Sequence, residues 1–435
     1  KGCPATSFLL TRCMARDKTW FGNFEYQRKE DLMNPIQKFY CRIYQNVLHL
    51  ALPFLPYRKP EILSSIFALP DLFHEKKIST VLLITDKSIR SFGLSFPLEQ
   101  ELKNQDIECI VYDDTVPNPT SDNVEEARKL YIDHHCEALI GFGGGSSIDC
   151  AKAVGARIAR PKKNLAKMEG ILKVLKRIPL LVAIPTTTGT GSETTLAAVI
   201  VDSKTRHKYP INDFPLIPRY AVLDPYLTKT LPPSLTATTG MDALTHAIEA
   251  YIGNSTTKET RADAKRAIEL IFMNLAKVVH DGNDLDARKN MLEAAFLAGN
   301  AFSQSYVGYV HAIAHSLGGQ YNVPHGYANA VILPMILEAY GEHATKKLAE
   351  LAIVSGTSRD PDPVVRAKAF IQAIKEMKSV FSIPDTFKEI REEDIPMLAK
   401  QAAHEANPLY PVPKEMNAKE LEQYYRKLME DGHGN

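Results

Sequence analysis

The stretch Ala138-Leu139-Ile140-Gly141-Phe142-Gly143-Gly144-Gly145-Ser146-Ser147-Ile148-Asp149 decides the fold. An apolar run ends in a glycine triplet, and a helix-compatible segment, Ser147–Arg157, follows at once. Glycine loses more backbone freedom on folding than any other residue, so a triplet makes sense where the main chain must approach a ligand. A strand that turns through glycines into a helix N-terminus aims N–H groups and the positive end of the helix dipole at one spot, which suits a pyrophosphate. The loop is neither GxGxxG nor a P-loop, since no Gly-Lys-Ser/Thr follows, and a nucleotide other than ATP is favoured. A glycine-rich turn without a ligand is the competing reading.

Outward from this loop, short runs rich in Val, Ile and Leu recur at Thr80–Thr85, Ile107–Tyr112, Leu180–Ile184 and Ala197–Val201, with helix-compatible stretches such as Asn123–Asp133 between several of them. Continuous apolar strands alternating with helices predict a mostly parallel sheet buried on both faces. Asp86 ends the first of these runs, where an acid can bind a ribose 2′-hydroxyl and repel a 2′-phosphate, or simply cap the helix beginning near Lys87. The hydroxyl-rich Pro185–Glu193 segment can wrap a nucleotide or form an elaborate turn. After Asp224 the pattern changes: Pro232 and Pro233 break the chain, Ser234 or Thr236 offers a cap, and helical patterns follow at Ala243–Ile252, Thr260–His280, Leu285–Phe302 and Pro363–Lys378. The expected organisation is an unplaced segment over 1–45, an α/β dinucleotide-binding domain over 46–225 and an all-helical domain over 226–435.

The 435 residues suit two domains. With 45% hydrophobic and 24% charged residues, and Lys plus Arg (52) nearly cancelling Asp plus Glu (51), neither nucleic acid nor an anionic membrane is expected as a partner. The six cysteines, Cys3, Cys13, Cys41, Cys109, Cys136 and Cys150, form no CxxC pair and read as reduced thiols. The run Val47–Leu55 is too short for a membrane span and is interrupted by Pro53. Ser7–Leu10 is briefly apolar without forming a clear signal peptide, so a cytoplasmic location is expected, with a mitochondrial one left open.

Two patches of the second half carry metal-ligand spacing. Asp242 and His246 stand four apart on a helix and share a face, as do His311 and His315; His325 follows in a turn, Asn322-Val323-Pro324-His325-Gly326. A lone histidine on an apolar face is usually a core residue, but four of the 13 histidines fall in these patches. Three imidazoles and a carboxylate suit an open catalytic site for a divalent first-row metal. Five candidates exceed four ligands, and spacing does not say which histidine has another task.

In this order, GGGSSID, PTTTGTGSE, TGMDALTHAIEAY and HAIAHSLGGQYNVPHG resemble the iron-containing (group III) alcohol dehydrogenase family, and VPNPT (Val116–Thr120) and ANPLYPVP (Ala406–Pro413) look like further landmarks. The likeness runs from about Pro60 to near Met429. It implies the dehydroquinate synthase-like architecture of an α/β nucleotide domain and a helical domain with the site in the cleft between. It also implies metal ligands at Asp242, His246, His311 and His325, and a non-ligand histidine, His315, lining the substrate site. Dinucleotide contacts are implied at Asp86, Asn118, Gly144, Gly145, Ser146, Asp149, Thr186, Thr187, Thr190 and Lys208. Tyr306 departs from the family, where glycine or another small residue is common, as does Tyr309, where an aliphatic residue is common; both bear on pocket size. The expected function is metal-dependent hydride transfer between a primary or secondary alcohol, or its carbonyl, and NAD in preference to NADP, with Fe(II) or Zn, in a homodimer. The alternatives are a hydroxyacid–oxoacid transhydrogenase of the same family and a catalytically silent nucleotide-binding protein. A metalloprotease is disfavoured, since Ala312 follows His311 where HExxH needs glutamate.

Overall fold

The structure, a computed structural model, describes residues 33–430; Cys3, Cys13 and the Ser7–Leu10 run lie outside the described residues. Nine strands are present among them: β1 Glu61–Leu63, β2 Thr80–Ile84, β3 Glu108–Tyr112, β4 Ala138–Gly143, β5 Gly170–Ile171, β6 Leu180–Pro185, β7 Ala197–Val201, β8 Lys208–Asn212 and β9 Tyr220–Val222. Six form a sheet in the order β1-β9-β6-β4-β2-β3, with every pair parallel. The central β4 is buried on both faces. Alternate residues explain this: Leu82, Ile84 and Leu139 pack against the helices Ser121–Asp133 and Gly145–Ala159, while Val81, Leu83, Ile140 and Phe142 pack against Leu69–Glu75 and Phe96–Asn104.

The apolar run Ala197–Val201 does form a strand, but it leaves the parallel sheet. It pairs antiparallel with β8, Ile200 opposite Tyr209, in a separate three-stranded sheet β5-β8-β7. The Asp202–Arg206 turn closes this hairpin, with Asp202 accepting from the Lys204 and Thr205 amides. Strand β8 alternates exposed and buried positions, so its apolar content is diluted and shows no run in the sequence.

From Pro233 onward the described residues form nine α-helices, beginning with the Pro233–Ile252 helix, buried without a break from Gly240 to Ile252. Neither Ser234 nor Thr236 caps it. Pro232 precedes Pro233 at the first helical position, where a missing N–H is harmless, and the Thr236 hydroxyl instead accepts from Arg288. Among the described residues no helix is long and apolar enough to cross a membrane. The four described cysteines are free, with Cys41, Cys136 and Cys150 buried and Cys109 half-buried.

A helix over Pro35–Ala51 runs through the expected boundary at residue 46 and docks on the helical half. Arg42 donates to the Val412 and Pro413 carbonyls and pairs with Glu415; Gln45 donates to the Pro408 and Tyr410 carbonyls. Its outer face carries exposed Ile36, Phe39, Tyr40, Ile43, Val47 and Leu50.

The two halves meet through backbone as well as side chains. Gly191 has φ +61°, and a Cβ there would lie 2.6 Å from the Gly299 Cα on the Leu285–Ser305 helix. Substituting Gly191→Ala imposes both a strained backbone and a clash that neither chain can relieve locally. We expect a loss of about 2 kcal/mol or more, read as a lower midpoint in denaturant at unchanged slope.

Candidate metal centre and nucleotide cradle

Three helices bring four ligand atoms together. Asp242 and His246 project from the Pro233–Ile252 helix, His311 from Tyr309–Tyr321, and His325 opens His325–Tyr340. One ligand atom from each lies within 4.8 Å of every other. Asp242, His246 and His311 are buried, whereas His325 keeps 38% of its side-chain surface accessible, so the cluster opens on that side. Phe302 stacks on His246 (centroids 4.1 Å, interplanar 13°) and closes the opposite wall with an apolar ring.

The local chemistry fits a cation. The Asn329 amide nitrogen lies 2.7 Å from Asp242 Oδ1, 3.1 Å from His311 Nε2 and 3.2 Å from His325 Nε2. An amide with two protons cannot satisfy three acceptors, and His246 Nδ1 is buried with no hydrogen-bond partner. Burial pushes the imidazoles toward their neutral, ligating form. His246 and His311 are lowered, His311 strongly and with the neighbouring histidines adding to the effect, and His325 is brought down to about 4 despite the pull of Asp242.

Glu249 stands behind the cluster. Its carboxylate accepts from the Gly308 and Val310 amides (2.8 and 2.9 Å) and lies 2.6 Å from His311 Nδ1. That contact assigns the proton to Nδ1 and leaves Nε2 facing the other ligands, the usual arrangement behind a metal-bound histidine. Sequence reading did not single out Glu249, although it stands three residues after His246 and seven after Asp242, on the same helix face. Asn329 had the same signal, four residues after His325.

His315 lies outside the quartet. Its ring stacks on His325 (centroids 5.1 Å, 18°), and its Nδ1 contacts Glu405 at 2.7 Å. Tyr309 does not act on the pocket directly: it is fully buried, with its hydroxyl bonded to Asn407 and to both the amide and carbonyl of Met416. Tyr306, where the resemblance leads one to expect glycine or another small residue, adopts φ +62°, a conformation glycine takes without strain.

The glycine loop leads from β4 into an uncapped helix terminus. Gly144 is the N-cap of the Gly145–Ala159 helix and no side chain caps it, leaving the first amides available to an anion. Gly143 has φ +147°, and a Cβ there would come within 2.6 Å of the Ser147 hydroxyl. The Thr186 amide donates to the Gly143 carbonyl, while Thr187 and Thr190 pack beside Gly144 and Gly145. The Asn118 amide donates to Ser146 Oγ (3.3 Å), and Lys208 Nζ donates to Asn118 Oδ1 (2.6 Å).

Two of the expected contact residues have structural commitments. Asp86 Oδ1 caps the Lys87–Ser91 helix through the Ser88 and Ile89 amides, while Oδ2 faces the glycine loop and accepts from Ser147. Asp149 accepts from Ser192 and from the Val199 amide, tying the helix to the small sheet. Lys152, also not singled out from the sequence, is fully buried and donates to Ser192, to Thr195 Oγ1 and to the Thr195 and Ala197 carbonyls. Gly189 lies against Thr239 and Gly191 against Gly299, so the hydroxyl-rich segment beside the glycine loop packs directly on the helices of the second half.

Comparison with known proteins agrees with this arrangement. Residues 64–225 match the family described as iron-containing alcohol dehydrogenase, and residues 236–429 its C-terminal region. The 1,3-propanediol dehydrogenase of Citrobacter freundii is 37% identical over 351 residues, 80% of this chain and 90% of its own length. Alcohol dehydrogenase 4 of Saccharomyces cerevisiae is 39% identical over 340 residues, 77% of this chain and 87% of its own. Among solved structures, a 1,3-propanediol oxidoreductase superposes with a TM-score of 0.82 at 33% identity, covering 86% of this chain and 98% of that one. An alcohol dehydrogenase from Oenococcus oeni gives 0.81 at 31% identity, covering 86% and 100%.

Two outcomes are expected of the metal centre. Glu249→Gln should weaken metal binding about 10- to 100-fold while leaving the four ligands in place, measured by chelator competition. The lowered histidines carry no proton to displace at neutral pH, so their part of the affinity should be lost only in acid, for His325 near its value of about 4; burial pushes Glu249 up to about 7, so protonating it should add a weaker loss as pH falls through that value. Glu249→Gln should lack the step near pH 7, and a step unchanged in that variant would contradict this assignment.

Proposed function

Because the chain belongs to the iron-containing alcohol dehydrogenase family, we propose that it transfers a hydride between a small primary or secondary alcohol, or its carbonyl, and NAD, with one divalent metal, Fe(II) or Zn, held by Asp242, His246, His311 and His325. The observation that carries this reading is the convergence of four buried or half-buried ligand atoms within 4.8 Å of one another, on helices against which the segment beside the glycine loop packs. A divalent metal supplies Lewis-acid polarisation of the alcohol or carbonyl oxygen, and the nicotinamide supplies the hydride chemistry.

The chain's own residues do the rest. Glu249 fixes the His311 tautomer, and Phe302 with the surrounding apolar helices keeps water from the closed side of the cluster. The Gly144–Ser146 amides receive the pyrophosphate, Thr186, Thr187 and Thr190 line it, and Asn118 and Lys208 flank it. His315, held at Nδ1 by Glu405, relays the proton released on alcohol oxidation toward solvent, since 43% of its side-chain surface is accessible. NAD is placed ahead of NADP because the Asp86 carboxylate faces the loop where a 2′-phosphate would bring like charge. A homodimer in the cytoplasm completes the reading; the resemblance supports the dimer, and light scattering tests it.

The first test follows nicotinamide absorbance with a panel of alcohols, after chelation and after return of Fe(II) or Zn. Reduction should vanish with chelator and return with metal, and His246→Ala should lose both metal and turnover. Full metal content and rate in that variant would overturn the ligand assignment. Asp86→Asn keeps the capping oxygen but removes the charge. The NADP-to-NAD ratio of kcat/KM should rise about tenfold with little change in stability.

A further inference from the structure

On the accessible side of the metal centre stands a polar wall that the ligands and the nucleotide cradle leave unused. Glu405, on the Ile395–Ala406 helix, accepts through Oε1 from His315 Nδ1 and from the Tyr410 hydroxyl, both at 2.7 Å. Its second oxygen, Oε2, has no hydrogen-bond partner among the described residues. The side chains of His315 and Glu405 keep 43% and 33% of their surface accessible, while Tyr410 behind them is buried. Burial alone would raise the Glu405 carboxyl; the charge and hydrogen bond of His315, with that of Tyr410, outweigh it and hold the group ionised. His315 stacks on His325, so this carboxylate stands one imidazole away from the metal ligands.

We propose that Glu405 is a specificity-determining residue: its uncommitted oxygen accepts a hydrogen bond from a second hydroxyl of the substrate, so that the pocket selects short diols and hydroxyaldehydes over simple alcohols and rejects hydroxyacids. This rests on the dehydrogenase reading above and adds to it the far end of the substrate. An alkyl terminus packed against the wall strips water from a charged oxygen and returns nothing. A carboxylate terminus meets like charge in a cleft where water screens poorly. A hydroxyl donates to Glu405 and is accommodated. Buried polar groups left unpaired are what make such sites selective, by up to about 10⁴-fold or more when sealed; this wall admits water, and about 10- to 100-fold is expected.

The test compares 1,3-propanediol, 1-propanol and 3-hydroxypropanoate on the metal-loaded enzyme with NAD, in the native chain, Glu405→Leu and Glu405→Gln. The native chain should favour the diol over 1-propanol at least about tenfold in kcat/KM, mainly through KM, and turn over the hydroxyacid least. Glu405→Leu should abolish or invert the diol preference. Glu405→Gln, nearly isosteric and still an acceptor, should keep part of it while admitting 3-hydroxypropanoate. Calorimetric Kd values on the NADH-loaded enzyme, where no oxidation occurs, should follow the same order. Equal kcat/KM or equal Kd for diol and 1-propanol in the native chain, or a ratio unmoved in Glu405→Leu, would overturn the inference while leaving the dehydrogenase standing. If Glu405→Leu does not fold, Glu405→Gln decides alone, and its continued rejection of the hydroxyacid would count against the proposal. Turnover of no alcohol by the native chain would overturn the dehydrogenase reading itself.

Discussion

Asp242, His246, His311 and His325 come from three helices and aim electron pairs at one small volume, with a single amide, from Asn329, to receive them. Lone pairs so arranged repel one another until a positive charge joins them, and little else in the helical half makes sense without that demand. The Pro233–Ile252 helix, buried for most of its length, carries two of these side chains and the Glu249 carboxylate into the bundle. Glu249 in turn takes the Gly308 and Val310 amides at the start of the next ligand helix, so the same group that orients His311 also fixes the turn that delivers it. Packing and ligand placement are therefore one problem here, solved by the same side chains.

The α/β half answers a different constraint, the need to bring bare backbone to an anion. The uncapped Gly145 terminus, the left-handed Gly191 and the threonines between them form one surface, and Lys152 and Asp149 brace it from beneath through Ser192, Thr195 and Val199. The Lys152 ammonium is buried and its affinity for a proton falls to about 8, yet four oxygens surround it. A buried charge satisfied in this way gives stiffness to a loop made of small residues that cannot stiffen themselves.

The main sheet was legible because its strands are buried on both faces and so read as unbroken apolar runs; Ala138–Gly143 is the clearest. Strand β8 was not, because a half-exposed hairpin alternates and five residues alternate by chance. The candidate ligands were legible in part: helical periodicity puts Asp242 and His246 on one face, but it treats His311 and His315 alike, and only the resemblance set His315 apart. Glu405 was hidden: it stands 90 residues from His315, and only the fold joins them. The Pro35–Ala51 helix was hidden for another reason, since Ile36, Phe39, Tyr40, Ile43, Val47 and Leu50 are exposed and its anchors, Arg42 and Gln45, are polar.

That helix lies outside the segments matched to the family, and it holds nothing that reacts. Yet Gln45 grips the Tyr410 carbonyl, and the Tyr410 hydroxyl grips Glu405. A single tyrosine is thus clamped at its backbone by an appended element and at its tip by the active cleft. Selectivity in such an arrangement can be retuned by edits to a peripheral attachment, with the reactive centre left untouched. An appendage so attached would act as an adjusting screw, moving the far wall of the site through Tyr410 while the ligand residues stay as they are.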